Sequence, residues 1–233
     1  ADEVVRDDAL FQAAFVHLGG LGYVNALLFE AAPRFLLGIV PPKAVLPRDA
    51  IEELARGDFA RFAARFNYPD PYFVQVILNP FRPFTRAALV RLLIPAPEPL
   101  LELRTALFEG LVDFDPLNLL GDIIDLLPPG GRGELIAILM RKLYPEQPKG
   151  DVMPPGVPWT ATTPDHRRHG DLFSTGIAIE RARLPEALDV MAAASRHDDG
   201  GDTVFTLRFV QRSGGMLAFT RFADNVVIDL DGL

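Results

Sequence analysis

Val204-Phe205-Thr206-Leu207-Arg208-Phe209-Val210 is the stretch that decides the fold. Side chains of an extended chain alternate between two faces, so Phe205, Leu207 and Phe209 share one side and Thr206 and Arg208 the other. Three large apolar groups mark the buried side. An arginine at mid-strand on the opposite side points into water or into a pocket, and spacing alone favours water. Upstream, Phe173–Glu180 reads as another strand. Leu184 to Arg196 reads as a helix, with Pro185 in its first turn and Ala187, Val190, Met191 and Ala194 on one face. Asp198 to Asp202 reads as a turn. Downstream, Leu217 to Leu230 supplies further strand after a hairpin at Gly214-Gly215. The order strand, helix, strand, strand predicts an α+β fold, an antiparallel sheet covered by helices on one face.

Toward the N-terminus, Asp7 and Asp8 are placed to cap a helix whose apolar face is Leu10, Phe11, Ala14, Phe15 and Leu18. Gly19 and Gly20 end it, since glycine enters the left-handed region at little cost. Tyr23 to Glu30 is apolar on both faces and predicts a buried strand closed by Pro33. Arg34 to Pro47 reads as an extended crossing. Asp49 to Phe66 keeps helical spacing through Ile51, Leu54, Phe59, Phe62 and Phe66 despite Gly57. Tyr72 to Asn79, fenced by Pro69, Pro71 and Pro80, predicts a strand. Arg86 to Tyr144 is leucine-rich and broken by prolines, which suggests several short helices. Lys149 to Gly170 reads as a loop carrying Trp159.

Composition bounds the function. The chain has 233 residues, a net charge of −8 and no cysteine. That length holds one large or two small domains, enough for a core without a staple. The absence of cysteine excludes disulfides, thiolate metal sites and a cysteine nucleophile. It leaves the compartment open, with the cytoplasm as the default for a soluble chain. The acidic balance argues against nucleic acid, because the basic residues are scattered. No apolar run reaches the ~18 residues a membrane span needs, and Leu18 to Phe29 holds three glycines and Asn25. Beginning Ala1-Asp2-Glu3, the chain reads as an internal piece of a longer polypeptide.

Local motifs are sparse. Gly19-Gly20-Leu21-Gly22 runs helix to strand, the reverse of a dinucleotide fingerprint. His166 and His169 are three apart but have no carboxylate at ligand spacing, and Pro164 and Gly170 argue against a helix. His197 to Asp202 lacks the alternating ligands of a calcium loop. Pro128 to Gly133 lacks the lysine of a phosphate loop. Asp229 and Asp231 are spaced as a metal-binding pair would be, but the ordinary reading of Asp229-Leu230-Asp231-Gly232 is a strand end. No resident metal is expected.

Two stretches together carry more. Asp8 to Val24, with its Leu10-Phe11 helix and the Gly19-Gly20-Leu21-Gly22-Tyr23-Val24 turn, resembles the close of the flavin-binding domain in the vanillyl-alcohol oxidase family, whose FAD domain is of the PCMH type. Ser174 to Ala194 followed by Thr203 to Asp229 is similar to that family's cap domain. The shared pattern is a strand, a helix on Pro185-Glu186-Ala187-Leu188, a strand carrying arginine, and a hairpin. Val40 to Lys149 matches only in general character.

The resemblance implies a remnant of an α+β FAD-binding domain over residues 1–33. A cap or substrate domain over 34–233 follows, cut short at its C-terminus. FAD would be bound mainly by a domain upstream of Ala1, and Gly19, Gly22 and Val24 match positions whose backbone runs beside it. In sterol, aldonolactone and alditol oxidases of the family a cap strand carries glutamate-x-arginine facing the flavin. Arg208 falls on the arginine, and Thr206 stands where the glutamate would be. Arg208 would stabilise negative charge on substrate or flavin. Thr206 cannot act as a general base near neutral pH, which leaves the base unassigned. The implied activity is transfer of a hydride from an alcohol to flavin. An apolar, sterol-like or aromatic alcohol is the substrate that the leucine-rich stretch from Leu100 to Leu127 would suit, although the residues alone favour reading that stretch as a helical core. The expected partners are a small-molecule alcohol and the upstream FAD domain, without nucleic acid or a transmembrane segment, and with the oligomeric state open. Two other readings stand beside this one. One is a non-catalytic ligand-binding or assembly domain without a cofactor of its own. The other is a metal hydrolase built on His166 and His169.

Overall fold

The computed structural model describes residues 5–31, 35–39, 48–80, 88–96, 152–153, 173–195 and 203–232. The strands are β1 (Leu36–Ile39), β2 (Phe73–Leu78), β3 (Ala88–Ala96), β4 (Val152–Met153), β5 (Phe173–Glu180), β6 (Thr203–Gln211) and β7 (Asp224–Gly232). They form one antiparallel sheet in the order β4-β1-β3-β2-β6-β7-β5. The helices are α1 (Asp8–Phe15), α2 (Arg48–Arg56), α3 (Phe59–Ala64) and α4 (Leu184–Ser195), the last entered through a 3₁₀ turn at Arg181–Arg183. The architecture is α+β, an antiparallel sheet with helices.

Strand alternation sets the core. Val74, Val76 and Leu78 of β2, Val90 and Leu92 of β3, Phe205 and Leu207 of β6, and Val226 and Ile228 of β7 form one buried cluster. Ala50, Ile51 and Leu54 of α2, Phe62 of α3, and Leu184 and Leu188 of α4 complete it, so these helices cover that face. Phe59 of α3 meets Phe209 of β6 edge-on, with ring centroids 5.0 Å apart. Edge-to-face pairing adds to the area that such rings bury. Phe205, Leu207 and Phe209 thus lie toward the helices, with Thr206 and Arg208 behind them.

Several elements differ from the sequence reading. One helix was expected through Gly57, yet the chain makes two. Gly57 adopts a φ of +78°, donates to the Leu54 carbonyl and ends α2, and Asp58 then caps α3 by accepting from the Arg61 amide at 3.2 Å. Residues 88–96, expected to be helical, are strand β3, with β2 on one side and β1 on the other. The expected crossing at 34–47 contains β1. The inward face of α4 is Leu184, Leu188, Ala192 and Ser195, while Val190 is exposed. Residues 212–223 form an irregular connection rather than a tight hairpin, so the C-terminal stretch makes a single further strand, β7. Tyr23 to Glu30 is not a strand. It has no ladder partner among the described residues, and Tyr23, Leu27, Leu28 and Phe29 are exposed. The expected turn at 198–202, most of the leucine-rich middle, the loop around Trp159, and His166 and His169 lie outside the described residues.

Candidate functional site

The sheet face turned away from the helices is where polar side chains gather. Register fixes its rows. Thr206 stands opposite Ile77 on β2 and Asp229 on β7, and Asp229 stands opposite Gly176 on β5. One row on, Arg208 lies between Gln75 and Val227. In the other direction Asp231 lies between Val204 and Ser174. Because side chains on one face repeat every second residue, Arg208 and Asp229 are diagonal neighbours.

Arg208 and Asp229 make an ion pair, with Nε 2.8 Å from Oδ2. The contact is a charge pair rather than an aligned N–H···O bond. The arginine side chain is 36% exposed and the aspartate 13%, so a half-open guanidinium sits over a nearly closed carboxylate. Gly176 makes room for that carboxylate. A Cβ at 176 would stand 2.9 Å from Asp229 Oδ1 and 3.4 Å from Val227 Cγ1. Beside the pair, the Ser174 hydroxyl donates to Asp231 Oδ1 at 2.6 Å and the Thr206 hydroxyl to Asp231 Oδ2 at 3.4 Å. Thr206 is therefore committed to Asp231.

Burial raises the pKa of Asp229 above the usual aspartate value. The positive charge of Arg208 opposes that shift, and the negative charge of Asp231 adds to it. Desolvation prevails because the carboxylate has lost more hydration than one off-line cation returns. Such a group holds a proton more readily than a surface aspartate, and perturbed carboxyls of this kind collect at functional sites.

The other predicted residues lie in the N-terminal segment. Gly19 and Gly22 have φ of +82° and +103°, and no atom comes within 4 Å of where a Cβ would stand. That leaves exposed backbone open to close approach by another group. Val24 is 57% exposed. The segment reaches the rest of the chain through α1. The Met216 amide donates to the Gln12 carbonyl at 3.1 Å, and a Cβ on Gly215 would meet Val16 Cγ2 at 2.8 Å. No described contact joins Gly19, Gly22 and Val24 to Thr206 and Arg208. Between α1 and the 212–221 segment lies an open cleft of about 570 Å³, lined by Gln12, Arg212 and Arg221 among others.

Asp229 is the functional candidate that the sequence reading missed as a partner of Arg208. A signal was present. In Val226-Val227-Ile228-Asp229-Leu230-Asp231 the apolar alternation places Asp229 on the face away from Ile228. What alternation lacks is register, and register is what sets Asp229 beside Thr206 and Arg208. Among the described residues no group of three or more histidine or acidic side chains is placed to hold a metal ion. Among the same residues no helix is long and apolar enough to cross a membrane.

No protein-family model and no curated protein matches this chain. The functional reading therefore rests on the residues themselves.

Proposed function

We propose that this chain is the substrate-covering cap, preceded by the tail of the flavin domain, of an FAD-dependent oxidoreductase that takes a hydride from an alcohol carbon. The observation that carries the reading is Arg208. It is a half-open guanidinium at the middle of a strand, on the sheet face that none of the described helices covers, paired with Asp229. Bound FAD, held mainly by polypeptide upstream of Ala1, would supply the hydride acceptor. Gly19, Gly22 and Val24 would offer it exposed backbone.

The contribution of this chain is electrostatic and positional. Arg208 would bind the substrate oxygen and stabilise the negative charge that grows there as its proton leaves, a charge a preorganised cation meets without reorganisation. The substrate class is an alcohol, with a sterol-like or aromatic body as the apolar candidate. The exposed apolar residues Phe11, Phe15, Leu18, Leu27, Leu28 and Phe29 support a domain contact on the N-terminal side. The same residues favour the second reading, a ligand-binding or assembly module without its own cofactor. Purification of the full-length gene product separates the two. A yellow protein that bleaches on anaerobic addition of an alcohol supports the oxidoreductase, and a colourless one that takes up no FAD refutes it.

A further inference from the structure

We propose that Asp229, and not Thr206, is the group that takes the hydroxyl proton from an alcohol held by Arg208, an inference that rests on the flavin-cap reading. Alcohol oxidation needs an acceptor for that proton, and a threonine hydroxyl cannot serve near neutral pH. Thr206 moreover donates its hydroxyl to Asp231. The strand beside it supplies the missing carboxylate. Asp229 is the direct cross-strand partner of Thr206, on the same face, with Oδ2 2.8 Å from the guanidinium that would bind the substrate oxygen. The sheet keeps room for it, since any side chain at Gly176 would run into Oδ1 at 2.9 Å. Sheet geometry makes the exchange natural, because a row shared by β6 and β7 presents either strand's side chain to the same space.

The step balances. The O–H bond breaks and its proton passes to the Asp229 carboxylate, the carbon–oxygen bond becomes C=O, and the hydrogen on carbon leaves as hydride to the flavin, the oxidant of the proposed reaction. The described charged groups that face Asp229 are Arg208 on β6 and Asp231 on β7. Ser174 and Gly176 on β5 and Gln75 on β2 carry no charge.

The test uses full-length, flavin-loaded protein with Asp229→Asn and Asp229→Glu. Asparagine keeps an oxygen for Arg208 but cannot take a proton. Anaerobic flavin reduction should slow by about 10²–10⁴-fold in Asp229→Asn. The fall in rate at low pH should vanish, with flavin content and folding intact, and Asp229→Glu should restore part of the rate. A second readout needs no turnover. The Asp229 carboxyl, followed by carbon-13 NMR in the full chain and assigned with Asp229→Asn, should titrate above the ordinary aspartate range and higher still in Arg208→Ala. Wild-type reduction by Asp229→Asn, or a retained acid limb as expected of a group that only orients Arg208, overturns the assignment and leaves the flavin reading standing. An ordinary or low carboxyl titration does the same. A full-length protein that binds no flavin overturns both.

Discussion

Phe205→Ala and Arg208→Ala sit three residues apart on one strand, and the structure assigns them opposite consequences. Phe205 is fully buried, lies opposite Leu78 on β2 and Leu230 on β7, and belongs to the cluster beneath α2, α3 and α4. Truncation there removes a ring packed between the sheet and the helices and leaves a cavity. The expected loss is about 3–5 kcal/mol. At roughly 2–4 °C per kcal/mol for a domain of this size, the melting temperature should fall by about 6–20 °C. Arg208 stands on the opposite face of β6 from that cluster. Its removal forfeits a partly exposed ion pair and leaves Asp229 able to take up a proton, so the loss should stay within about 0.5–2 kcal/mol. Flavin reduction should show the reverse order, strongly impaired in Arg208→Ala and little changed in a folded fraction of Phe205→Ala. Thermal melts by circular dichroism, paired with anaerobic reduction, measure both. If Arg208→Ala proves the more destabilising while reduction is untouched, the two faces of β6 have been assigned the wrong way round.

Other outcomes follow from the same structure. Gly57→Ala should destabilise by about 2–4 kcal/mol in urea denaturation, from the φ of +78° and from a Cβ meeting Arg181 Nη2 at 2.5 Å. That clash would push Arg181 off Asp224, 3.1 Å away, and off the Phe59 ring. Glu53, almost fully buried, accepts from Arg65 Nε at 2.6 Å and lies 3.0 Å from Arg61 Nε. The Arg65 hydrogen bond holds its pKa below the usual value against the effect of burial. A depressed carboxyl stabilises the fold above its unfolded pKa and loses that contribution as pH falls through its folded pKa. Glu53→Gln should therefore melt lower by about 1–3 kcal/mol at neutral pH and approach wild type in acid. Asp229 has the opposite sign. Its raised pKa means that the contribution is present in acid and lost as pH rises through the folded value, so Asp229→Asn should gain on wild type in melting temperature between acid and neutral pH. A difference constant with pH would show that the carboxyl is not perturbed.

What the sequence made legible, and what it did not, divides along a physical line. Alternation is local, so Val204 to Val210 and Phe173 to Glu180 were readable as strands, and the faces of β6 followed from period two alone. Where the chain is apolar all round, period says nothing. Ala88 to Ala96 serves equally as buried helix or buried strand, and its place between β1 and β2 decided for strand. In α4 both Leu184/Leu188/Ala192 and Ala187/Val190/Met191 are apolar stripes, and the pairing with α2 chose the first. Tyr23 to Glu30 shows the converse. Its composition asks for a buried strand, but a strand forms only against a neighbour that supplies the other half of its hydrogen bonds, and the described residues offer none. The site divides in the same way. Arg208 could be read from its position within one strand. Asp229, 21 positions on, becomes its partner only through the β6–β7 register, which an irregular connection at 212–223 leaves unspecified in the sequence. A carboxylate that the fold disfavours in its charged form, beside a guanidinium on the face that no described helix covers, is poorly explained by stability. The proposed proton transfer accounts for it, and the Asp229→Asn melts and reduction rates test that proposal from two independent directions.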